Sequence, residues 1–163
     1  MDDHDHAAAI NLAHSGQIGT FVEMDDESNA PTLKDIADAA RRLAAKAEAL
    51  MGDDGVPVWD YSVPDAKSAP RDSSAGAIMA AGIFILAGLC EPEEAQRWYA
   101  FGDRLIGGLL DTCDLTGDPK AEGLLAHGAA HASAGYSDAM LPYGDYYFME
   151  ALMRSLGHTR FFW

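Results

Sequence analysis

The sequence predicts an all-α fold assembled from successive helical hairpins. Three observations carry that prediction. Apolar residues recur at three- and four-residue steps from Leu33 to Leu50, an almost uninterrupted apolar run extends from Ala75 to Cys90, and Pro92 with Glu93 and Glu94 opens another periodic stretch. The only candidate for extended chain, Val56-Pro57-Val58, is confined to an edge or a loop by Pro57 and Pro64. Strings of helical hairpins build bundles, solenoids or α/α toroids, and composition does not choose among them.

Taken in order, residues 1–31 are expected to be irregular. Ala7 to Leu12 reads as a short helical piece broken at Ser15-Gly16, and Asp25 to Pro31 reads as a loop. The opening Met1-Asp2-Asp3-His4-Asp5-His6 is the opposite of a basic leader, and a metal there is set aside because chain ends are mostly solvated. Thr32 with Asp35 three residues on starts an amphipathic helix in the manner of a capping box. Its stripe of Leu33, Ile36, Ala37, Ala40, Leu43, Ala44, Ala47 and Leu50 is expected to face the core, and Gly52 to Gly55 ends it.

Pro70 forbids a helix running through from upstream, and Asp72, Ser73 and Ser74 carry oxygens that accept from first-turn N–H groups. A second helix therefore begins at Ser73 or Ser74. It has no charged residue before Glu91, so it is expected to be surrounded by other helices. The third helix starts at Glu91-Pro92 and is expected to bury Ala95, Trp98, Tyr99, Leu105, Ile106, Leu109 and Leu110. Lys120 to His127 reads as one or two helical turns and Gly128 to Pro142 as a loop. A last helix opens near Gly144 or Asp145.

The 163 residues are enough for one domain with a real core, and 48% of them are apolar. A formal charge of −15 argues against nucleic acid, and an anionic sugar would need local arginines or backbone donors. Cys90 and Cys113 are too few for a disulfide framework or a zinc pattern and read as buried thiols. The Ala75 run is short for a bilayer and lacks flanking cations, so a soluble, cytoplasmic protein is expected, with no membrane partner.

Three stretches together carry a family resemblance: Val58-Trp59-Asp60-Tyr61, the helix start Pro70-Arg71-Asp72-Ser73-Ser74-Ala75, and Tyr143-Gly144-Asp145-Tyr146-Tyr147-Phe148-Met149-Glu150-Ala151-Leu152. In that order and spacing, residues 32–163 resemble the C-terminal half of unsaturated glucuronyl hydrolases, glycoside hydrolase family 88. The resemblance implies part of an (α/α)6 barrel, six helical hairpins whose inner helices frame a pocket for an unsaturated uronic acid at the non-reducing end of an oligosaccharide. It also implies the family's chemistry. An Asp protonates C4 of the C4=C5 double bond, water adds at C5, and the resulting hemiketal opens with loss of the glycosidic bond. The paired-carboxylate template of ordinary glycosidases does not apply.

That catalytic Asp belongs to the family's N-terminal half, so the chain looks like a truncated portion, inactive alone, and no catalytic residue is assigned. The residues expected to bind substrate are Trp59, Arg71, Tyr143 and Ser137, with no cofactor and no metal. Each has a structural alternative. Arg71 either meets a uronate carboxylate or is tied to a neighbouring carboxylate or carbonyl while Asp72 caps the helix. Trp59 either stacks on a sugar or lids the core. Ser137 stands for a hydroxyl that family members carry before the Tyr-Gly-Asp-Tyr run.

Asp145 reads as a first-turn carboxylate and His158 as a residue past a helix end. His127 and His131, four apart without a third ligand and with Gly128 between them, read as supporting or surface residues rather than metal ligands. Tyr146, Met149, Glu150 and Met153 are not expected to face one pocket together. The partners expected are an unsaturated uronide oligosaccharide and either a complementary N-terminal half or a second copy, since helices of a partial barrel expose apolar surface. The competing reading is a non-catalytic helical half-toroid that binds or self-associates.

Overall fold

A computed structural model describes residues 30–161. Contacts divide the chain into Met1–Lys34 and Asp35–Trp163, and the core lies in the second unit. The expectations for the opening His/Asp cluster and for Ala7 to Leu12 lie outside the described residues. Four helices follow one another: α1 Leu33–Leu50, α2 Ser73–Gly88, α3 Pro92–Thr112 and α4 Pro142–Ser155. Among the described residues there is no strand, only isolated bridges, of which Val58↔Arg71 holds the extended Val56–Val58 piece.

Asp72 ends the upstream chain in an extended conformation (φ −129°, ψ 95°), and its carboxylate accepts from the N–H groups of Ser74 and Ala75. The second helix therefore starts where its sequence cap places it. α3 starts with Pro92 in its first turn and runs back along α2, so that Leu109 packs on Gly76 at one end and Phe84 on Gly102 at the other. Gly102 is a packing requirement, since a Cβ there would sit 2.7 Å from the Phe84 ring. α4 packs on α2 beside α3 and runs parallel to α2. Gly144 abuts Ser74 at the N-terminal ends, and Ile85 and Arg154 border one cavity further along.

Trp98, Phe101, Leu105, Ile83, Phe84 and Leu86 form the larger core cluster. Val56, Leu109, Leu125 and Phe148 form a second one nearer the α2 N-terminus. α1 is tied to α3 by charge: Arg41 Nε donates to Glu94 Oε1 at 2.9 Å, and Arg97 Nη2 donates to Glu48 Oε2 at 2.6 Å. The Trp98 indole also donates to Glu94, and these two hydrogen bonds hold the Glu94 carboxyl below its ordinary range.

Several expectations are corrected. On α1 only Ala44 is fully buried, and Leu33, Ile36 and Leu43 face outward, because the alanine side of the helix is the one that packs. α2 is not enclosed on all sides: Ile78 and Ile85, seven residues apart, remain exposed. On α3, Phe101 is buried while Tyr99 and Leu110 are exposed. Residues 120–127 form no helix. Leu125 bridges to Asp114 instead, with its N–H donating to Asp145 Oδ1 at 3.2 Å. α4 starts at Pro142, two residues before the expected point, because proline is well suited to a first helical turn where its missing N–H is not needed. No helix among the described residues is long and apolar enough to cross a membrane.

Candidate functional site

The N-terminus of α2 is where distant parts of the chain meet. Asp72 N–H donates to the Pro57 carbonyl at 2.9 Å, and Trp59 N–H donates to the Pro70 carbonyl at 3.0 Å. From the other side, Ser73 N–H donates to the His127 carbonyl at 3.0 Å, and Asp72 Oδ1 accepts from Ala129 N–H at 3.2 Å. Ser73 and Ser74 are buried, and Ser74 Oγ donates to Asp72 Oδ1 at 2.6 Å. Gly144 of α4 sits so close that a Cβ on it would meet Ser74 Cβ at 3.0 Å. The three stretches that carry the family resemblance thus share one end of one helix.

Of the four residues singled out from sequence, Arg71 adjoins Asp72 and the Trp59 N–H meets the Pro70 carbonyl at this junction, Tyr143 precedes Gly144, and Ser137 lies in the loop before α4. Arg71 Nε donates to Asp54 Oδ2 at 2.6 Å and its Nη1 to the Ala66 carbonyl at 3.0 Å, so the guanidinium is tied to a carboxylate and a carbonyl. It borders a cavity of about 330 Å³ with Asp53, Asp54, Val58 and Lys67. Trp59 is half-buried, Tyr143 is exposed on the first turn of α4, and Ser137 is half-buried in the loop before α4. None of these three lines the Arg71 cavity. In the aromatic-acidic loop after Trp59, the Tyr61 hydroxyl is buried without a partner, and burial pushes its pKa up.

His127, read from sequence as a supporting or surface residue, is half-exposed and has a backbone that the sequence did not signal. Among the described residues it is the non-glycine with positive φ, at 61°, a left-handed conformation uncommon for residues with a side chain and one in which Asn, Asp and His are enriched. Its carbonyl is spent on Ser73, and its Nδ1 lies 2.9 Å from Asp138 Oδ1, which holds a half-exposed imidazole in one orientation. Gly128 beside it admits no side chain, since a Cβ would sit 2.8 Å from the Ala139 carbonyl oxygen. Neither the left-handed backbone nor the pairing across eleven residues leaves a trace in sequence spacing. Among the described residues no group of three or more His, Cys, Asp or Glu could hold a metal.

The far face of α4 corrects another expectation. Tyr146, Met149, Glu150 and Met153 do line one cavity, of about 420 Å³, together with Leu124, Asp145 and Phe161. Spacings of three, four and seven put them on a single helix face. Glu150 is buried, with Arg154 Nη2 and Nε at 2.6 and 2.7 Å from its Oε1, and the Arg154 guanidinium lies 4.0 Å from the Phe161 ring centre. Loss of hydration and then the Glu150 charge push the Tyr146 phenol up from its ordinary pKa.

No family model matches the sequence. Among curated proteins, the unsaturated glucuronyl hydrolase of Bacillus sp. (strain GL1) is 37% identical over 123 residues, 74% of this chain and 33% of that protein. The unsaturated glucuronyl hydrolase of Formosa agariphila is 33% identical over 103 residues, 62% of this chain and 25% of that protein. The crystal structure of the Bacillus sp. GL1 enzyme superposes with a TM-score of 0.70 at 36% identity, again over 74% of this chain and 33% of that one. The chain therefore spans about a third of the length of the relatives it matches. In sequence and in backbone it is similar to part of the (α/α)6 barrel of the unsaturated glucuronyl hydrolases, and the family resemblance carried by its three motifs is borne out.

Proposed function

We propose that this chain forms the wall of a saccharide pocket of the unsaturated glucuronyl hydrolase type and recognises an unsaturated uronide at the α2 N-terminus. The observation that carries the proposal is the junction itself, where the three family-like stretches meet at Asp72 to Ser74. The Bacillus sp. GL1 relative is responsible for degradation of glycosaminoglycan, so an unsaturated glycosaminoglycan disaccharide is the ligand proposed here. Asp138 holds His127 Nδ1, leaving Nε2 to hydrogen-bond a sugar hydroxyl, and in this reading Tyr143 supplies a further hydroxyl and Trp59 an aromatic face. Cys90 and Cys113 are free thiols, which suits a reducing, cytoplasmic compartment.

In this reading the chain does not itself protonate C4 of the sugar. The proton goes to C4 from a carboxylic acid on a complementary chain that completes the barrel, water supplies the oxygen at C5, and ring opening of the hemiketal releases the leaving sugar. The test is to co-express this chain with the two thirds of the Bacillus sp. GL1 enzyme that it does not match. The pair should abolish the ultraviolet absorbance of an unsaturated disaccharide, while neither chain does so alone. A pair that co-purifies as a folded complex yet leaves the absorbance unchanged would overturn the proposal.

A further inference from the structure

α4 borders a groove that the saccharide junction does not use. Among the described residues, Leu124, Pro142, Met149, Met153 and Phe161 give an apolar lining to a space of about 420 Å³. A second space of about 550 Å³, bordered by Ile85, Tyr147, Arg154 and Thr159, adjoins it. Tyr146, Glu150, Arg160 and Phe161 border both, so the two form one groove with an apolar end and a polar end. Small-molecule sites have this size and this kind of lining. Met149 and Met153 are 49% and 37% exposed, so a ligand reaches them from solvent, and their flexible thioethers adapt to its shape.

The turn after α4 builds the roof. Gly157 has φ of 84°, its N–H donates to the Arg154 carbonyl at 2.9 Å, and His158 N–H donates to the Met153 carbonyl at 3.0 Å. This Schellman turn reverses the chain and brings Arg160 and Phe161 back to α4, where Phe161 stacks on Arg154.

The charges in the groove decide what it takes. The Arg154 guanidinium is engaged by the buried Glu150. Asp145 Oδ1 accepts from Leu125 N–H at 3.2 Å, and a Cβ on Gly123 would come within 3.1 Å of its Oδ2, so this carboxylate is turned toward the 123–125 loop. Arg160 makes no ion pair or hydrogen bond among the described residues. A single uncompensated guanidinium where the apolar end meets the polar end selects a ligand with one negative charge on an apolar body. A planar carboxylate matches the guanidinium fork with two parallel hydrogen bonds. A sugar is a poor match, since its hydroxyls would lie without partners against Met149, Met153 and Phe161.

We infer that this groove is a second binding site, for a small apolar carboxylate whose acid group pairs with Arg160 while its body lies against Met149, Met153 and Phe161. The inference stands independently of the saccharide reading.

Titration of the full chain with 2-naphthoate, followed by NMR of the methionine methyl groups, tests this, with the isosteric neutral 2-naphthamide as the comparison. The expected result is saturable binding of naphthoate with a dissociation constant on the order of 100 μM, shifts on Met149 and Met153, and binding of the amide at least about tenfold weaker. Arg160→Gln should bind acid and amide alike, and Met149→Glu should lose naphthoate. Both side chains are exposed, so circular dichroism should show unchanged helix content. Arg42→Gln, which removes an exposed guanidinium from α1, should leave the preference for the acid intact. Equal binding of acid and amide by the unaltered chain, a preference that survives Arg160→Gln, or shifts that rise with naphthoate without saturating would each overturn the inference.

Discussion

Asp72 Oδ1 accepts from the Ala129 N–H at 3.2 Å, joining residues 57 positions apart, while the same oxygen caps the first turn of α2. A single carboxylate oxygen thus starts the central helix and fastens the 127–129 loop against it. Everything proposed for the junction depends on that loop being held there.

Asp72→Ala should destabilise the protein by about 2 kcal/mol, more than an ordinary cap loss, because the Ala129 N–H also loses its acceptor in a partly buried setting. Asp72→Asn keeps a side-chain oxygen and should recover a large part of that loss. Urea unfolding of the three proteins measures the difference. Equal stability of Asp72→Ala and wild type would mean that the loop is not fastened there.

His127→Gly should raise stability by about 1 kcal/mol, since glycine adopts φ near 61° without the steric cost that a side chain carries. The same substitution should abolish binding of an unsaturated disaccharide, read by calorimetric titration. A variant that is more stable and binds unchanged would remove His127 from the site.

Tyr61→Phe should be neutral or stabilising by up to about 1 kcal/mol, because it deletes a buried hydroxyl that has no hydrogen-bond partner. Thermal unfolding checks this, and a loss of more than about 1 kcal/mol would show that the hydroxyl is satisfied in solution.

Gly55→Ala should cost about 2 kcal/mol or more. The position has φ of 71°, and a Cβ would sit 2.7 Å from the Arg104 carbonyl oxygen. Urea unfolding should show a lower midpoint at an unchanged slope.

Acidification should cost stability. Asp60 and Asp65, held by hydroxyl and backbone donors, Glu94, held by Trp98 and Arg41, and Asp114, held by Thr116, all have pKa values below their ordinary 3.8 or 4.5. The unfolded chain binds protons at these groups first. Their contribution is therefore complete above the ordinary values and is lost as pH falls through the lower folded ones. Stability should therefore fall as pH drops below about 4. Thermal midpoints across this range test the sign.

The helical fold was legible because its signals are local. Pro70 and Asp72 fix the start of α2, and Pro92 fixes that of α3. The face that each helix buries was less legible. The α1 stripe reads as a core face by periodicity, yet periodicity marks an apolar face without saying what covers it, and the chain packs the alanine side instead. Lys120 to His127 has helical composition, but Asp145 and Asp114 draw Leu125 into loop pairing that only tertiary contact supplies. The three motifs located the junction, and Arg71 lies at it. The left-handed His127 and its Asp138 partner depend on backbone geometry that no spacing encodes.

The most direct test of the junction as a saccharide site is a backbone and indole NMR titration of this chain with an unsaturated glycosaminoglycan disaccharide. The account predicts saturable shifts concentrated on Trp59, Arg71 to Ser74, His127 to Ala129 and Tyr143, all lost in His127→Gly. Shifts confined to the Tyr146 to Arg154 face of α4, or none at millimolar sugar, would contradict it.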